Sequence, residues 1–240
     1  IVPDAGKEAQ AAEIARKARG AFCEMPEGSP RNFDLNDLHQ GESLQAVASL
    51  LQQAKEPPQR FRVLTPADIS ALPPVRWRVR GVLPADGIAA LFGASGAGKS
   101  FLALDLLGNV ASGAEWFGCR VTPAPVLYIG LEGEAGISQR WKAHQTRHGA
   151  LAAGFLFILQ PLDIRNAADR ADLIAAARAA GYSDGVLCID TLNRAAPGAD
   201  ENDSAAMGAI IAAAKALQAA LGGLVLLIHH TGKDASKGLR

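Results

Sequence analysis

Ile88-Ala89-Ala90-Leu91-Phe92-Gly93-Ala94-Ser95-Gly96-Ala97-Gly98-Lys99-Ser100-Phe101-Leu102-Ala103-Leu104-Asp105-Leu106-Leu107 is the stretch that decides the fold. A short apolar run enters a glycine-rich turn and leaves it through apolar residues at helical spacing, so the expected order is strand, loop, helix. The pattern G-x-x-x-x-G-K-S from Gly93 to Ser100 suits an anion. Glycines let backbone N–H groups curl around a phosphate, and the helix that follows aims the positive end of its dipole at the same point. Gly93, Ala94, Ser95, Gly96, Ala97, Gly98, Lys99, Ser100 and Phe101 are therefore expected to cradle the phosphates of a nucleoside triphosphate, ATP being the expected one. Lys99 would reach the β- and γ-phosphates, and the Ser100 hydroxyl would hold Mg²⁺.

Outward from this loop, short apolar runs alternate with helical stretches, the pattern of a parallel sheet covered by helices. Expected strands are Ile88–Phe92, Val126–Gly130, Phe155–Leu159, Val186–Asp190 and Leu224–His229. Expected helices are Gly136–Gly149, Ala168–Ala180 and Ser204–Leu221, the last capped by Asp203 or Ser204. Toward the N-terminus, Lys7–Gly20 and Leu44–Lys55 read as helices and Asn32–His39 as a polar loop between them. Paired prolines at Pro57-Pro58 and Pro73-Pro74 bound a stretch poor in apolar periodicity. The expected organisation is a small α/β module over residues 1–55, a linker over 56–74 and the phosphate-loop domain over 75–240. Ile1-Val2-Pro3-Asp4 reads as the end of a strand and Arg240 follows soon after one, so a piece of a longer protein is expected, its second domain cut short at the C-terminus.

Composition sets bounds on function. Of 240 residues, 49% are hydrophobic, ample for a buried core. Lys and Arg total 24 and Asp and Glu 24, so no global basic field draws in nucleic acid, and any such contact must come from local loops or from a ring that gathers them. Cys23, Cys119 and Cys188 are far apart, with neither C-x-x-C spacing nor nearby histidine pairing, which suggests no zinc site or disulfide framework and fits a reducing cytoplasm. No apolar run approaches the roughly 20 residues of a membrane span, and the first residues form no signal peptide.

Three further segments carry chemistry. Val186-Leu187-Cys188-Ile189-Asp190 is an apolar strand ending in a carboxylate, and Asp190 is expected to hold Mg²⁺ beside Ser100. Val126–Gly130 leads into Leu131-Glu132-Gly133-Glu134. Ligands of open α/β sheets sit at the carboxyl ends of strands, which puts Glu132 near the γ-phosphate as a catalytic base for water, with Glu134 the alternative. Leu224–Ile228 ends in His229-His230-Thr231-Gly232-Lys233, where one of the two histidines would sense the γ-phosphate and report hydrolysis to the loop.

With these residues the chain resembles the RecA-type ATPases, and among them the plasmid and phage replicative helicases of the RepA kind. The resemblance is carried by Gly93–Ser100, Tyr128–Arg140, Asp190–Arg194, Asp200–Asp203 and His229–Lys233. It implies a RecA-like fold and a hexameric ring of identical subunits that moves along single-stranded DNA. Lys99, Ser100, Glu132, Asp190 and a histidine at 229 or 230 match that family's nucleotide site. Such rings complete each site with a neighbour's arginine, and Lys237 and Arg240 lie on the corresponding loop. The first residues resemble the tail of a TOPRIM-like primase module: Asp4-Ala5-Gly6-Lys7-Glu8-Ala9 is similar to its metal-binding turn, though without the usual second acid, and Asp34–His39 to its closing segment.

Overall fold

The computed structural model describes residues 1–57, 61–149, 154–199 and 203–230, with only the backbone described at Glu134. The chain divides into two compact units, Ile1–Pro73 and Pro74–Arg240.

In the first unit the helices are α1 (Glu8–Ala18), α2 (Leu35–Gly41), α3 (Leu44–Gln52) and α4 (Pro66–Ser70). Alanines four apart on α1, Ala11 and Ala15, are buried and pack with Phe22. A second small core gathers Ala5, Cys23, Met25, Leu38 and Leu50. The strand expected at Ile1–Asp4 does not form; Phe22 and Lys55 make an isolated antiparallel bridge instead. The polar stretch expected to be a loop holds α2. Its Asp34 accepts from the N–H groups of Asn36 and Asp37 while the Asp37 carboxylate accepts from the Asp34 N–H, a reciprocal cap that offsets the low helix preference of these residues. Within the stretch expected as a linker, Thr65 caps α4 and Pro66 occupies its first turn; α4 buries none of its residues.

In the second unit come β1 (Trp77–Val79), β2 (Leu83–Pro84), β3 (Gly87–Gly93), α5 (Lys99–Ser112), β4 (Val126–Gly130), α6 (Glu134–His148), β5 (Phe155–Ile158), α7 (Ala167–Ala179), β6 (Val186–Asp190), α8 (Leu192–Ala195), α9 (Ser204–Leu221) and β7 (Leu224–His230). β1 and β2 form a short antiparallel pair, and the other five make one sheet in the order β3-β7-β6-β4-β5 with every neighbouring pair parallel. This is the expected α/β architecture, a parallel sheet flanked by helices.

Strands buried on both faces read as continuous apolar runs, and alternation sends successive side chains to opposite cores. Leu127, Ile129, Leu187, Ile189, Val225 and Leu227 join the core built with α7 and α9, where Leu173, Ile210 and Leu217 are buried. Val126, Tyr128, Val186, Cys188, Leu224, Leu226 and Ile228 join the core built with Leu104, Leu107 and Val110 of α5. The register pairs Gly93 with His230, Asp190 with Ile228 and Gly130 with Asp190, so the carboxyl ends of four strands share one edge.

At 18 residues and mean hydropathy 1.5, α9 is long and apolar enough to cross a membrane by length and composition, unlike the sequence-based expectation. Here it lies against the sheet and buries Ile210, Ala213, Ala214, Leu217 and Leu221. It is capped by Asp203, whose carboxylate accepts from the N–H groups of Ala205 and Ala206.

Candidate functional site

The glycine-rich loop joins β3 to α5 at that shared edge. Gly96 and Gly98 have φ of 78° and 85°, a left-handed conformation that L side chains rarely adopt. Gly98 is the N-cap of α5 and contributes no side chain, which leaves the first N–H groups of a 14-residue helix without a side-chain cap. Lys99 opens that helix and is buried. Its Nζ donates to the carbonyls of Gly93 (2.9 Å) and Ala94 (2.8 Å) and lies 2.8 Å from His230 Nδ1. Ser100 is half-buried beside it. Phe101 is exposed, with the Arg140 guanidinium 5.3 Å from the centre of its ring.

Across the sheet, Asp190 ends β6 and is buried to 3% exposure. One carboxylate oxygen, Oδ2, accepts a hydrogen bond from the Tyr128 hydroxyl; the other, Oδ1, has no protein hydrogen-bond partner among the described residues. Burial pushes the Tyr128 phenol far up, with help from the nearby Cys188 and Asp190, so it stays protonated and remains a donor. A buried carboxylate with one oxygen tethered and one unsatisfied fits a site for a hard cation such as Mg²⁺.

Glu132 follows β4. Its Oε1 accepts from Thr191 Oγ1 at 3.0 Å and lies 3.5 Å from His230 Nε2. Thr191, His230 and Lys99 thereby form a continuous polar chain with Glu132 across the ends of β6, β4, β7 and the loop. Of the two histidines left open by the sequence, His230 is the one that meets both Lys99 and Glu132. His229 precedes it on β7, in register with Phe92, and alternation gives it the opposite facing.

Tyr128 and Thr191 are parts of this arrangement that sequence reading missed as individual actors. One sits in an apolar strand and the other is an ordinary hydroxyl after an acid; only strand pairing puts them against Asp190 and Glu132. Thr231, Gly232, Lys233, Lys237 and Arg240, like Asp200, Glu201, Asn202 and the Glu134 side chain, lie outside the described residues.

The glycine loop, the lysine at the mouth of α5 and the strand-end carboxylate on a parallel sheet of this order define a P-loop ATPase domain of α/β architecture. Residues 54–236 match the AAA domain family, and the chain belongs to it. No curated protein matches the chain. Among solved structures, a crystal structure of the RadB recombinase is similar at 18% identity and a TM-score of 0.41, over 65% of this chain and 66% of that one. The chain thus spans just under two thirds of that structure's length.

Proposed function

We propose that this chain binds and hydrolyses Mg·ATP at the shared carboxyl edge and works as the ATPase of a DNA helicase in plasmid or phage replication, in the cytoplasm, as a hexameric ring on single-stranded DNA. The observation that carries the hydrolytic part is the polar chain from Glu132 through His230 to Lys99. It ties a carboxylate suited to act on water to the cation suited to hold phosphate.

In this reading Lys99 exchanges the Gly93 and Ala94 carbonyls for phosphate oxygens when ATP binds, and the N–H groups of the loop and of the first turn of α5 receive the rest of the phosphate charge. Ser100 and Asp190 hold Mg²⁺, which supplies charge neutralisation on the phosphate oxygens. Thr191 donates to Glu132 and fixes its orientation; Glu132 accepts a proton from the attacking water. His230, released by Lys99, is free to follow the γ-phosphate and pass its loss to the segment after β7. A neighbouring subunit's arginine completes the site, with Arg240 the residue on offer.

The helicase part is supported by the ordered set of motifs from Gly93 to Lys233 and their resemblance to replicative helicases. The first unit would derive from a primase-type module. Its Asp4 carboxylate is paired with Lys7 rather than set beside a second acid, so a structural role suits it better than metal catalysis.

Steady-state ATP hydrolysis by the full-length protein, with and without single-stranded DNA, tests this reading. Several-fold stimulation by DNA supports a motor. Hydrolysis indifferent to DNA would instead favour a regulatory ATPase, the reading that the balanced charge of 24 basic and 24 acidic residues suits.

A further inference from the structure

Away from the phosphate loop, α5 and α6 bring three metal-ligating side chains together. His144 and His148 stand four residues apart on one face of α6, and Asp105 of α5 stands opposite them. One ligand atom from each lies within 4.8 Å of the others. We propose that Asp105, His144 and His148 bind a divalent transition-metal ion of the Zn²⁺ class, with a fourth position open to water or an external ligand.

The geometry separates this cluster from an ordinary ion pair. Asp105 Oδ1 is 3.0 Å from His148 Nε2 and 3.9 Å from His144 Nδ1. The second distance is too long for a hydrogen bond. Two ligands at about 2.0–2.2 Å from one tetrahedral ion stand roughly 3.3–3.5 Å apart, and the two observed separations bracket that value. The set is pre-arranged as well. Trp116 Nε1 donates to the other carboxylate oxygen, Asp105 Oδ2, at 2.9 Å, which turns Oδ1 toward the imidazoles as an outer-shell donor does around a metal ligand. The His144 ring is stacked between Trp141 and His148, with ring centres 5.6 Å and 4.5 Å away. It is more than nine-tenths buried, and room for it depends on Gly108: a Cβ there would stand 2.4 Å from His144 Nε2. That buried Nε2 has no hydrogen-bond partner among the described residues, while the Nδ1 side of the ring faces Asp105 Oδ1.

Two imidazoles and one carboxylate suit Zn²⁺, Co²⁺ or Ni²⁺ better than Mg²⁺ or Ca²⁺, which prefer oxygen. The site therefore differs in metal preference from the one at Ser100 and Asp190. An ion here ties α5, which begins with Lys99, to α6, which follows Glu132 by one glycine.

The test is titration of the full chain, stripped with chelator and free of nucleotide, with Co²⁺ alone. Expected are one bound equivalent, a visible ligand-field spectrum that Zn²⁺ abolishes by displacement, quenching of the fluorescence of the adjoining Trp116 and Trp141, and a raised thermal midpoint. His148→Ala and Asp105→Asn, each checked for folding by circular dichroism, should weaken binding by about tenfold or more. His230→Ala, which alters the other histidine-bearing site, should leave the Co²⁺ spectrum intact. Absence of a spectrum in the wild-type chain, equal binding in both cluster variants, or loss of binding in His230→Ala would each overturn the proposal.

Discussion

Tyr128→Phe removes one oxygen from a fully buried ring and nothing else. The hydroxyl donates to Asp190 Oδ2, and Asp190 Oδ1 already lacks a hydrogen-bond partner among the described residues, so the variant leaves a buried carboxylate with neither oxygen hydrogen-bonded by any described residue. A hydrogen bond to a charged group contributes about 1.5–3 kcal/mol, and the ring packing against Phe155 and Phe157 is retained, so about 2 kcal/mol is the expected loss. For a unit of this size each kcal/mol lowers the melting temperature by about 2–4 °C, giving a fall of roughly 4–8 °C. Thermal unfolding followed by circular dichroism in nucleotide-free, Mg²⁺-free buffer measures it. A variant within about 0.5 kcal/mol of wild type would refute the reasoning, because surface-like tolerance is incompatible with a buried, singly supported carboxylate. Saturating Mg·ATP should narrow the gap, since a cation at Asp190 supplies the partner that the phenol withdrew. A gap that stays the same would remove Asp190 from the cation site.

Other consequences concern single residues. Gly185→Ala places a Cβ 2.1 Å from the Pro125 carbonyl oxygen and 2.8 Å from the Tyr182 ring, where β6 enters the sheet; a loss of about 3 kcal/mol in chemical denaturation is expected, and near-neutrality would refute it. Asp203→Ala removes the cap of α9 and should cost about 1 kcal/mol by the same assay, whereas Asp203→Asn should recover most of it. Lys99→Ala should abolish nucleotide binding measured by equilibrium titration, with the fold retained by circular dichroism; retained affinity would separate Lys99 from the phosphates.

The phosphate loop and the five strands were readable because each carries a local signal. Strands buried on both faces read as continuous apolar runs, and the observed ends differ from the expected ones by one residue each at Gly87, Gly93, Ile158 and His230. Elements whose cause is a side-chain cap were harder. The reciprocal Asp34–Asp37 cap that makes α2 was hidden in a stretch that looks polar throughout, and Thr65-Pro66 starts α4 where prolines suggested only a linker. In the site, Lys99, Asp190 and Glu132 were visible as motif positions. The partners that support them were not. Choosing His230 over His229 needs the register of β7 against β3, and Tyr128 and Thr191 become relevant only when β4 lies beside β6. The Asp105–His144–His148 cluster shows the same limit: the four-residue histidine spacing is in the sequence, but its carboxylate comes from a different helix.

Single-turnover ATP hydrolysis by the wild-type chain and by Glu132→Gln, with ATP affinity measured separately for each, tests the central claim most directly. If, as proposed, the carboxylate at the end of β4 acts on water and not on the phosphates, Glu132→Gln should bind ATP as wild type does and hydrolyse it about 10²-fold more slowly or worse. Hydrolysis at the wild-type rate by Glu132→Gln would contradict the account, and the polar chain to His230 and Lys99 would then be an arrangement of the fold rather than of catalysis.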